Sequence, residues 1–140
     1  MSEARRVLAW RVLVLLGLWS AVVPFLASAL GLDLEVSTSV EIVDHVLPGL
    51  AVTACAAAAL AESRLGFRHA TALFTLPAIC ILAGLWITVS HAPLLVDAAE
   101  GTEPWGTSIL HLASGPAVAI VAFALFADSY RQEARRTAQP

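Results

Sequence analysis

The residues of this chain with a capacity for chemistry are few and widely spaced. His45 and His111 each lie in a charge-poor apolar stretch, and each precedes a glycine by four positions, Gly49 and Gly115. On a helix, positions i, i+4, i+7 and i+11 share one face. His45, Gly49, Val52 and Ala56 then form one face, and His111, Gly115, Val118 and Ala122 its counterpart. Two imidazoles presented in this way could be the axial ligands of a b-type haem, with the glycine one turn deeper leaving room for a flat macrocycle. The plainer role for each is a hydrogen bond to a neighbouring helix or to the membrane interface. His91, Asp44 and Asp97 fall at the ends of apolar runs, and three imidazoles with a carboxylate could hold zinc or copper. No HxxxH pair supports such a site, and separate interfacial groups are the simpler reading. His69 beside Arg68 belongs at the opposite surface. Cys55 and Cys80 have no Cys or His partner at metal-ligand spacing and read as inert thiols in apolar surroundings. With no nucleophile–base pair, phosphate-binding glycine loop or zinc-hydrolase motif, an enzyme is not expected.

The elements that carry these residues follow from composition. Of 140 residues, 59% are apolar and only 14% charged, with a mean hydropathy of +0.80. A soluble domain carries about 25% charged residues, and a small one has the most surface to cover with polar groups. An ordinary soluble enzyme, a disordered tail and a nucleic-acid-binding module are excluded, leaving an integral membrane protein. Charge-free windows cover 12–32, 45–61, 69–96 and 104–127. A helix needs roughly 20 residues to cross the hydrocarbon, so three windows suffice alone. The second must draw Glu41 to Asp44 toward its outer leaflet, and Thr38-Ser39-Val40-Glu41 resembles a capping box that starts its helix near Ser39.

All eight basic residues are Arg; with abundant Ala and no Lys this is the composition of a GC-rich bacterial genome. They flank alternate ends of the windows: Arg5, Arg6 and Arg11, then Arg64 and Arg68, then Arg131, Arg135 and Arg136. The positive-inside rule places both termini in the cytoplasm of a plasma-membrane protein. Trp10 and Trp105 then fall near the inner and outer interfaces. Arg5-Arg6, an apolar run and Ala27-Ser28-Ala29 imitate a secretory signal peptide, but cleavage would delete a helix that has a later copy.

That copy is an internal duplication. Leu15-Leu16-Gly17-Leu18-Trp19 recurs as Leu82-Ala83-Gly84-Leu85-Trp86, and over 45–61 against 111–127 seven of 17 positions are identical. The two halves, about 7–62 and 69–128, each hold two spans, so they share one orientation and are expected to be related by a pseudo-two-fold axis along the membrane normal. On Gly17-Leu18-Trp19 with His45 and Gly49, and Gly84-Leu85-Trp86 with His111 and Gly115, the chain resembles the SPW-repeat family of small bacterial and archaeal membrane proteins. Val23-Pro24-Phe25 and Ser90-His91-Ala92-Pro93 stand where that family has Ser-Pro-Trp. The resemblance implies two two-helix repeats in a membrane and no particular activity.

The expectation is therefore an all-α chain forming a single membrane domain over 1–140, a bundle of four transmembrane helices built from two tandem repeats. Gly17, Gly49, Gly84 and Gly115 should allow close helix approach, and Trp19 and Trp86 should pack across the repeat interface. Pro48, Pro77 and Pro116 should each interrupt a span. The function expected is helix association, as a subunit or an assembly or stability factor of a membrane complex, without a cofactor. Its partners would be the bilayer and other membrane subunits or the chain itself, not nucleic acid. The alternative is an electron-transfer component with haem b or a metal on His45 and His111.

Overall fold

A computed structural model describes residues 1–29, 38–65, 70–102 and 105–138, and the side chains of all of these except 27–29, 38, 70–71, 107 and 110–111. Among the described residues the chain is helical, with no strand. α1 (Glu3–Ala29) is followed by a short α2 (Thr38–Glu41), which runs through a π-helical turn (Ile42–Val46) into α3 (Leu47–Leu65). α4 (Ala70–Ser90) leads into α5 (Ala92–Ala99), and α6 (Trp105–Leu112) into α7 (Ser114–Thr137). α1, α3, α4 and α7 are the four long helices. Among the described residues three stretches are long and apolar enough to cross a membrane: Glu3–Leu26, Ser39–Leu65 and Ala72–Ala99. α7 alone falls short, because its charge-free part, 114–127, ends at Asp128, below the roughly 20 residues a crossing needs.

Proline chemistry explains the irregular points. Pro48 has no N–H, and its ring crowds the carbonyl four residues earlier, that of Asp44. The backbone answers by widening: the N–H of Leu47 bonds to the Ile42 carbonyl, five residues back. Pro116 leaves the Leu112 carbonyl without its helical donor, and the rod formed by α6 and α7 breaks at Ala113. Pro93 sits in the first turn of α5, where a missing N–H costs least, and separates it from α4 at His91. Pro77 departs from expectation: α4 continues through it without a break, with the ring fully buried. α5 ends in a Schellman motif, the N–H of Thr102 bonding to the Asp97 carbonyl and that of Gly101 to the Ala98 carbonyl. Gly101 has φ 78°, a left-handed conformation that costs glycine nothing.

α1 packs chiefly on α3, and α4 chiefly on α7, while α3 on α4 and α1 on α7 complete the contacts. All four contribute to one core: Trp10 and Leu13 from α1, Val52, Ala56 and Ala59 from α3, Cys80 and Ala83 from α4, and Val118, Ala122 and Leu125 from α7. Much of this interior is alanine, so packing rests on close backbone approach. Trp10, expected near the inner interface, is turned into that core.

Candidate functional site

The helix contacts are built on glycine. A Cβ on Gly17 would lie 2.7 Å from the Gly49 carbonyl oxygen and 2.9 Å from the Thr53 nitrogen, and one on Gly49 2.6 Å from the Gly17 carbonyl oxygen and 2.8 Å from the Ala21 nitrogen. The α4–α7 contact has the same form. A Cβ on Gly84 would meet the Gly115 oxygen at 2.8 Å and the Ala119 nitrogen at 2.7 Å, and one on Gly115 the Gly84 oxygen at 2.9 Å and the Thr88 nitrogen at 2.8 Å. In both crossings each glycine faces the other and the residue four beyond it. One of those residues is alanine and one threonine in each case. Thr53 Oγ1 donates to the Gly49 carbonyl at 2.9 Å, and Thr88 Oγ1 to the Gly84 carbonyl at 2.7 Å. Each hydroxyl is thus satisfied within its own helix, where no water is at hand.

Trp19 and Trp86 do not take part, which corrects the expectation that they pack across the repeat interface. They are 42% and 53% exposed. They also face away from the glycine crossings within each half, since two residues beyond Gly17 or Gly84 is about 200° around a helix.

The histidines come together in another pairing. The π-turn swings His45 fully inside, at 0% exposure. His91, at the corner between α4 and α5, is also buried, and the two rings lie 4.2 Å apart between centroids, tilted by 56°. His91 Nδ1 donates to the Ile87 carbonyl at 2.8 Å. A carbonyl only accepts, so Nδ1 carries a proton. Ser90 Oγ stands 2.9 Å from the same nitrogen and donates to the same carbonyl at 3.3 Å. The Glu41 carboxylate lies 3.6 Å from His45 Nε2, an electrostatic contact beyond hydrogen-bond length. His111 is on α6, and its side chain, with the expected pairing to His45, lies outside those described.

Among the described residues no three His, Cys, Asp or Glu side chains converge as a metal site. Protein purified from cells supplied with haem is expected to show no Soret band. A Soret band that His45→Ala abolishes would overturn this.

Two further groupings escaped the sequence reading. Cys55 of α3 and Cys80 of α4 lie close to each other; both are free. Where α1 begins and α7 ends, Asp128 is buried and collects cations. Arg6 Nη2 reaches its Oδ2 at 2.7 Å, Gln132 Nε2 reaches the same oxygen at 2.7 Å, and the Met1 amino group meets Oδ1. The signal for Asp128 was present in the sequence. The apolar stripe Val118, Ala122, Leu125 continues at helical spacing straight onto it.

No family model matches the chain, and neither does any curated protein or solved structure.

Proposed function

We propose that the chain is a small multi-pass protein of the plasma membrane that acts by helix association, as a subunit or an assembly or stability factor of a membrane complex. In this reading it crosses four times, the rod of α6 and α7 supplying the fourth span, with both termini in the cytoplasm. The two halves are tandem repeats, as the resemblance to the SPW-repeat family implies. Support comes from the matched offsets in the sequence and from the likeness of the Gly17–Gly49 and Gly84–Gly115 crossings.

The observation that carries the association role is the outward placement of Trp19 and Trp86. Apolar side chains alone give helices little reason to associate in lipid, because the acyl chains are as apolar as leucine. An indole is different, since its N–H seeks an acceptor. Trp19 stands well inside the window 12–32, away from the headgroups, and neither indole meets an acceptor among the described residues. A carbonyl or side chain of a second protein would satisfy it.

The test uses protein purified in a mild detergent, its mass followed by light scattering over a range of protein-to-detergent ratios. Association beyond one chain is expected. The Trp19→Phe/Trp86→Phe double variant keeps the apolar area and removes both donors. At about 0.6–1.7 kcal/mol per membrane hydrogen bond, each loss should weaken the complex roughly 3- to 20-fold. A single chain at every ratio, or association indifferent to the double variant, would sink the reading.

A further inference from the structure

The Asp128 cluster forms one wall of a cleft of about 380 Å³ between the start of α1 and the end of α7, within the roughly 300–1,000 Å³ range of small-molecule sites. Four positive groups line it, the Met1 amino group, Arg6, Arg131 and Arg135, against two carboxylates, Glu3 and Asp128. Both Asp128 oxygens are already engaged. Arg131 and Arg135, one turn apart on α7, have no ion-pair partner among the described residues. Arg6 Nε is buried and has no acceptor among them. A buried guanidinium donor without an acceptor carries a full desolvation penalty, which an anion in the cleft would relieve.

A second groove runs along the same two helices, deeper into the apolar part. Leu8 and Val12 of α1 and Ile120 and Ala124 of α7 line it, with Arg5 at its mouth. A basic cleft at the membrane boundary beside an apolar groove matches a molecule with a charged head and a hydrocarbon tail. We propose that the cleft binds the phosphate of an anionic phospholipid, whose acyl chain lies along the Leu8–Ile120 groove. Arginine suits this ligand because its planar fork meets phosphate oxygens two at a time, and basic pockets between helices on the cytoplasmic side are known to take such headgroups. The inference stands apart from the association role and needs only that these helices lie in a bilayer.

The test exchanges the purified protein into nanodiscs containing phosphatidylglycerol and phosphatidylcholine, and counts retained lipid by native mass spectrometry. Preferential retention of phosphatidylglycerol is expected. Two arginines near a lipid surface together shift binding about 30-fold, so Arg131→Gln/Arg135→Gln should abolish most of the preference. Arg6→Gln also breaks the pair with Asp128 and is expected to unfold more readily, so the α7 double variant decides. Ala124→Phe, which fills the groove, should weaken phosphatidylglycerol retention. In detergent, inorganic phosphate should raise the Tm less than phosphatidylglycerol does. Equal retention of the two lipids, or retention unchanged in the α7 double variant, would overturn the proposal. Stabilisation by inorganic phosphate equal to that by the lipid, with Ala124→Phe silent, would overturn the lipid as the source of the phosphate.

Discussion

Gly49→Leu and Gly115→Leu are each expected to destabilise the folded protein by about 3 kcal/mol, the upper end of overpacking costs. The size follows from what the new side chain meets. At both positions even a Cβ falls within 3 Å of backbone atoms, Gly17 O and Ala21 N in one case and Thr88 N and Gly84 O in the other. Backbone cannot rotate aside as a side-chain tip can, so the helices must separate. The two losses should be similar because the two crossings are built alike. Gly106→Ala is the control. Nothing lies within 4 Å of a Cβ there, and Gly106 is exposed in the first turn of α6, so stability should change by no more than about 0.5 kcal/mol. Unfolding in a denaturing detergent, followed by circular dichroism, measures all three. Glycine variants that unfold at the parental midpoint would show that the helices do not depend on these contacts.

Asp128→Ala is expected to cost about 2–3 kcal/mol in the same assay. Removing one partner of a buried ion pair typically costs about 3–5 kcal/mol, since the other charge stays buried without compensation. Here the aspartate side chain is 6% exposed, but the side chains of Arg6 and Met1 are 17% and 25% exposed, so water reaches the cluster and recovers part of the loss. Asp128→Asn should cost less, because an amide oxygen still accepts from Arg6 or Gln132. Glu133→Gln breaks the exposed pair with Arg136, at 3.8 Å, and should change stability by no more than about 0.5 kcal/mol. An Asp128→Ala protein as stable as Glu133→Gln would contradict the role given to this cluster.

What could be read from the sequence divides along periodicity. Small residues at i and i+4, such as Gly17 with Ala21 and Gly49 with Thr53, point to where helices touch, because only small side chains let backbones meet. The nearness of Trp19 to Gly17 suggests packing across the repeat interface, but its side chain is 42% exposed, and two residues turn it about 200° from the glycine. The sequence groups His91 with His45 and His111 at one surface, but the close ring pair of His45 and His91 is not legible, because neither position obeys a regular helix: Pro48 widens the turn that holds His45, and Pro93 ends the helix that delivers His91. Cys55 and Cys80 meet only because α3 lies against α4, a tertiary fact that no spacing encodes. Asp128 lay on a visible stripe, but its partners, Arg6 and the Met1 amino group, come from the other end of the chain.

The glycine crossings also order events in time. Each joins two long helices of one half of the chain, α1 with α3 and α4 with α7 across α5 and α6, so each closes a shorter loop than the Arg6–Asp128 pair does, at smaller entropic cost. Contacts of low sequence separation form fastest, and synthesis delivers the N-terminal part first at roughly 5–20 residues per second. The first helical hairpin can therefore zip shut through Gly17 and Gly49 while the second is still on the ribosome. The Arg6–Asp128 pair, made from opposite ends of the chain, then acts as the clasp that closes only once translation has passed Asp128.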